Sequence, residues 1–212
     1  MEMTWYGLGC FRLAERGFPS VVMDPFDPDE AGLRPRDLQA PLVTTSRLVE
    51  DVRTLTWSQV GGVTRSVAGP GEYEIGGVFI NGAASHPVGE ENREHVVYTV
   101  TYHSTTVCHL GELDRPPTQS LVEAIGPVTV LLIPVGIPDG LTPAMAAETL
   151  RLIEPAIVVP MQYDVPGLLV ARNSLEGFLK ELGVSDPTCL GSLRVSDGAE
   201  PEEAQIVVLE PQ

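Results

Sequence analysis

The chain has 212 residues, 43% apolar and 20% charged, proportions that suit one soluble globular domain spanning 1–212 with a single sizeable core. A formal charge of −16, set against twelve arginines and the lone Lys180, opposes the cationic footprint that a nucleic-acid partner or an anionic membrane requires. Apolar runs such as VTVLLIPVGI at 128–137 fall short of the ~20 residues of a membrane-spanning helix. The acidic, aromatic start MEMTWYG lacks the basic-then-apolar order of a secretory leader, so a cytoplasmic location is expected.

Stretches rich in valine, threonine, isoleucine and aromatics, separated by Gly, Pro and Asp, read as strands. In order they are TWYGLGCFRLAE, SVVMDPF, PLVTTS, VTRSVAG, GVFINGAASH, EHVVYTVTYHSTTVCHLG and VTVLLIPVG. Helical patterns follow at 117–126, stopped by Gly126, and at 142–153, with Thr142 as N-cap and Pro143 in the first helical position. A third covers 173–182, with Asn173 as N-cap and Gly183 beyond its end. VTVLLIPV and AIVVPM are apolar on both faces, as buried strands are, whereas the helices are one-sided; layered sheets and outer helices satisfy both. The tail run QIVVL is expected as a final edge strand. Cys10, Cys108 and Cys189 are odd in number and far apart, and read as small buried apolar residues.

Around VTTSRLVEDV at 43–52, other motifs occur in a fixed order: TWYGLGCFRL at 4–13, GPGEYEIGGVFI at 69–80, CHLGEL at 108–113, and LLIPVG at 131–136 followed by VVPMQYD at 158–164. Together, over roughly residues 3–165, they resemble the metallo-β-lactamase superfamily, specifically its small bacterial branch of zinc-dependent hydrolase-like proteins. The resemblance implies an α+β fold, a four-layer αββα sandwich of metallo-β-lactamase type. It also implies a two-zinc site built from His-x-His-x-Asp-His, a later histidine, an aspartate and a last histidine.

In this chain those seven positions read Arg47, Val49, Asp51, Val52, His86, Glu112 and Gln162. Valine offers no donor atom, arginine is permanently cationic, and an amide is a poor substitute for imidazole, so zinc is expected in relatives and no metal or other cofactor here. Without a metal-bound water of lowered pKa, the usual hydrolytic nucleophile is also missing, and no catalytic residue is assigned. Leu8 likewise replaces the histidine of the N-terminal motif.

The expected protein is a non-catalytic pseudoenzyme that binds a small molecule or a protein partner through this vestigial site; a homo-oligomer is compatible with the composition. The alternative is a divergent hydrolase using Asp51, His86, Glu112 and Arg47 with one weakly bound metal or none. Arg47 is expected to pair with Asp51 or Glu112 in place of a cation. Asp24 is expected to brace the loop that carries the former metal motif, and packing with backbone hydrogen bonds explains His109. His95 and His103 are expected at the surface, and the glycines of GPGEYEIGG in tight turns rather than a phosphate cradle.

Overall fold

A computed structural model describes residues 1–47, 59–85, 95–196 and 204–212. Its first strands, β1 (Glu2–Trp5), β2 (Phe11–Ala14), β3 (Val21–Met23), β4 (Leu42–Thr45) and β5 (Arg65–Ala68), lie side by side in that order. β1–β2–β3 pair antiparallel and β3–β4–β5 parallel. A short helix, α1 (Pro28–Ala31), is capped by Asp27, whose carboxylate accepts from the Asp29 and Glu30 N–H groups.

The second sheet runs through β6 (Gly71–Ile75), β7 (Val78–Ala84), β8 (Val96–Tyr102), β9 (Thr105–His109), β10 (Val130–Pro134) and β11 (Ile157–Met161). Gly76 and Gly77, both at positive φ, close the β6–β7 hairpin, so the GPGEYEIGG glycines do serve turns. Parallel pairing of β9, β10 and β11 requires crossovers. These are supplied by α2 (Gln119–Ile125), N-capped by Thr118, and α3 (Pro143–Ile153), N-capped by Thr142 as its sequence predicts.

The last elements depart from the sequence reading. Helix α4 (Glu176–Glu181) starts later than expected, and Asn173 is not its cap. The Asn173 N–H donates to the Gly136 carbonyl at 2.7 Å and its own carbonyl accepts from Asp164 at 3.0 Å, so its backbone is engaged in pinning a loop. Strands β12 (Thr188–Leu190) and β13 (Leu193–Arg194), too short and exposed to show a period, were not legible; β13 joins the first sheet beside β1. QIVVL forms β14 (Gln205–Leu209), but between β11 and β12 rather than at the edge, which β12 occupies.

Period-two alternation sends neighbouring side chains to opposite faces. Val21, Met23 and Leu42 enter the large core with Trp5, Phe11, Ile80, Val100 and Leu132, while Val22 and Val43 enter a second cluster with Tyr6, Leu38, Ala40 and Val60. The first cluster fills the space between the sheets and continues onto the helices that cover the eight-stranded sheet, through Leu121, Ile125, Ala146 and Ile153; the second lies under the segments that cover the outer face of the six-stranded sheet. On the far side, Asn81 donates to the Ala124 carbonyl from the face of β7 opposite Val78 and Ile80, which places α2 outside the eight-stranded sheet. The architecture is the αββα sandwich. Each fully buried large side chain in its centre contributes roughly 1.5–3 kcal/mol. Among the described residues no helix is long and apolar enough to cross a membrane.

Candidate functional site

The positions singled out in the sequence gather where several strands end. Arg47 follows β4, Glu112 follows β9 and Gln162 follows β11, while Leu8 lies in the β1–β2 turn and Asp24 just beyond β3. Backbone hydrogen bonds stitch the two sheets together here: Val96 N–H to Ser46 O at 2.8 Å, and Gln162 N–H to Leu8 O at 3.2 Å. An isolated bridge also pairs Arg47 with His95. Leu8, Asp24 and Gln162 all have positive φ (48°, 44° and 61°), a region that costs a non-glycine residue roughly 1–3 kcal/mol unless its surroundings hold it. Gly111 adopts the same region, and a Cβ there would lie 2.6 Å from the Ser46 side chain.

Polar side chains lock this frame. Asp24 accepts from the Ser46 N–H at 2.6 Å and from its hydroxyl at 2.5 Å, in keeping with a brace for the loop that follows β4. His109, almost wholly buried, donates from Nε2 to the Gly9 carbonyl at 2.8 Å and accepts at Nδ1 from the Gly111 N–H at 3.0 Å; packing and backbone bonding account for it. His103 is exposed and stands edge-on to Phe18.

His95 corrects the expectation of a surface residue. It is 8% exposed, its Nε2 accepts from the Glu112 N–H at 2.9 Å, and its Nδ1 lies 2.8 Å from the Ser85 hydroxyl. An isolated histidine beside an acidic stretch carries no sequence signal for this, since the groups around its ring, at Ser85, Gly111 and Glu112, come from other segments. Cys189 is the second correction: it is exposed, whereas Cys10 and Cys108 are buried. Burial, with Asp24 nearby, drives the Cys10 thiol far above its ordinary range, which keeps it protonated.

The centre itself is occupied by arginines. Arg47 Nε stands 3.4 Å from Glu112 Oε2, so the expected pairing with Glu112 is present. Arg172, absent from the sequence reading, reaches in from the loop after β11. Its Nε and Nη2 donate to Gln162 Oε1 at 3.1 and 2.9 Å, its Nη1 donates to Ala171 O at 2.9 Å, and Nη2 lies 4.0 Å from Glu112 Oε1. Its side chain is only 11% exposed. Burial lowers the Arg172 pKa, Glu112 opposes that shift and Arg47 adds to it. Val49, Asp51, Val52 and His86 lie outside the described residues.

The described part of the site does not fit zinc. Gln162 has its carbonyl oxygen engaged by two N–H groups of a cation, and Glu112 faces two guanidiniums. Among the described residues no three His, Cys, Asp or Glu side chains converge as a metal ion needs.

Residues 2–162 match the profile of the beta-lactamase superfamily domain. Among curated proteins the chain is similar to a UPF0173 protein of Pyrococcus abyssi, 26% identical over 201 residues that cover 86% of this chain and 90% of the relative. A metal-dependent hydrolase of Myxococcus xanthus is 26% identical over 216 residues, covering 85% and 77%. A solved structure from Thermotoga maritima, assigned to the Zn-dependent hydrolases of the metallo-β-lactamase superfamily, superposes with a TM-score of 0.81 at 29% identity, over 100% of this chain and 99% of that one.

Proposed function

The chain belongs to the metallo-β-lactamase superfamily of metal-dependent hydrolases, and within that family we propose that it is a metal-free member which binds rather than hydrolyses. The observation that carries this reading is Arg172, a guanidinium bonded to the side chain at one former ligand position, Gln162, and facing another, Glu112. A cation placed there by the chain itself opposes a second cation electrostatically, and the donors it engages are withdrawn from coordination. The strained backbone at Leu8, Asp24 and Gln162 supports a scaffold kept in working geometry for a bound molecule or protein.

One observation favours the second reading, a divergent hydrolase: the Myxococcus xanthus relative is described as a metal-dependent hydrolase. Asp51 and His86 would then have to join Glu112 and Arg47.

Metal content separates the two. Protein purified without added zinc or chelator should hold less than about a tenth of an equivalent by elemental analysis and show no saturable zinc uptake by calorimetry. Near-stoichiometric zinc that survives dialysis would refute the metal-free reading and direct attention to hydrolase assays.

A further inference from the structure

Among the described residues, Arg172 and Arg47 share one nearby carboxylate, Glu112, and neither holds it closely. A largely buried guanidinium ordinarily finds a carboxylate in bidentate contact, because burial without an anionic partner is costly. The hydrogen bonds of Arg172 among the described residues go instead to neutral carbonyl oxygens, those of Gln162 and Ala171. Glu112, at 4.0 Å from Arg172 and 3.4 Å from Arg47, lies beyond good hydrogen-bond distance of both. Asp24 has both oxygens engaged by Ser46. Among the described residues, neither guanidinium is therefore held by a carboxylate in close bidentate contact. Arg47 and Arg172 are close enough for the first to disfavour the charge of the second. Such a concentration is conspicuous in a chain with 13 basic and 29 acidic residues. Arg47 also opens the centre to solvent, its side chain being 58% exposed.

We propose that Arg47 and Arg172 form a seat for a small oxyanion, a carboxylate or a phosphate group, held between the two guanidiniums beside Glu112. The proposal rests on the metal-free reading of the same site. A planar or tetrahedral oxyanion accepts the forked N–H donors of arginine and relieves the repulsion between the two cations. The negative field of the whole chain disfavours strongly charged ligands at long range, so affinity has to come from these short contacts.

The test is calorimetric titration of the metal-analysed protein with inorganic phosphate and, separately, with succinate. At least one should bind saturably, and Arg47→Ala should weaken it by about tenfold or more. Arg34→Ala, which removes an exposed arginine paired only with Asp29 among the described residues, should leave it unchanged. Phosphate binding without succinate binding would identify a phosphate-bearing ligand, and the reverse a carboxylate. Arg172→Lys, which keeps the charge but loses the fork, should weaken binding as well; if it fails to fold, the Arg47→Ala result decides. No saturable heat up to about 20 mM of either anion, or equal weakening by Arg34→Ala, would overturn the seat. Zinc-free protein that binds neither anion defeats this inference alone, whereas stoichiometric zinc in the same preparation defeats the metal-free reading beneath it.

Discussion

Replacing Arg172 by methionine tests whether the guanidinium at the centre contributes to stability or is merely tolerated. Two donors, at 3.1 and 2.9 Å, share the single oxygen of Gln162, a residue only 4% exposed. A hydrogen bond to a charged group contributes about 1.5–3 kcal/mol, and orphaning a buried carbonyl costs about 1–3 kcal/mol. These overlap rather than add, and the burial penalty on the guanidinium disappears with it, so a net loss of about 2 kcal/mol is expected. In a domain of this size that lowers Tm by about 4–8 °C. Gln162→Leu alone should also destabilise, by removing the acceptor from a largely buried cation. The double variant Arg172→Met with Gln162→Leu should be less damaged than the sum of the singles, because neither polar group is then left without its partner. Equilibrium urea unfolding of the four proteins gives the coupling energy directly, expected at about 1–2 kcal/mol. Additivity within about 0.5 kcal/mol would mean that the observed contact carries no net energy, and the argument for Arg172 as an internal substitute for a metal would fail.

Three further outcomes follow from the same geometry. His95→Ala removes the acceptor of the Glu112 N–H and the partner of the Ser85 hydroxyl, and should cost about 1–3 kcal/mol in urea unfolding; a change below about 0.5 kcal/mol would contradict its placement at the joint between the sheets. Gly111→Ala and Gly183→Ala both add a Cβ at positive φ, but only the first drives it against Ser46 and His95, whereas nothing lies within 4 Å of the second. Melting temperatures should therefore drop sharply for Gly111→Ala and by only the equivalent of about 1 kcal/mol for Gly183→Ala; equal drops would refute the close packing at Gly111. Burial raises the thiol pKa of Cys10 and Cys108, which keeps both protonated through neutral and mildly alkaline pH, while Cys189 is exposed. A disulfide reagent at pH 8 should thus titrate one thiol in native protein and three in urea, and rapid native labelling of a second would show that a buried cysteine is accessible.

Much of the fold was legible because its signals are local. Thr142 caps the helix that its sequence announces, since a cap involves residues only two or three apart. The alternation of Leu42, Val43 and Thr44 predicts a strand, though not that Leu42 and Val43 serve different clusters. Asn173 misled for a physical reason: an asparagine before an amphipathic run has the composition of a cap, but its backbone was claimed by Gly136 and Asp164. QIVVL misled likewise, because a strand's own residues do not say whether β12 will flank it.

By itself the sequence determined which side chains stand at the positions that the resemblance matches to the family's ligands, and hence that Arg47 and Gln162 cannot behave as histidines. Ligand chemistry is a property of the residue, so no structure was needed for that step. Only the tertiary structure decided what fills the centre. Arg172 follows Gln162 by ten residues, lies sixty residues from Glu112 along the chain, and sits in a loop with no motif of its own. His95 reaches Glu112 because the antiparallel register of β8 and β9, continued past the strand ends, sets the two opposite each other, while its bridge to Arg47 ties this corner to the other sheet. Contacts of that kind arise when separate strands end at the same place, and that convergence is set by packing of the whole core rather than by any periodicity within a segment.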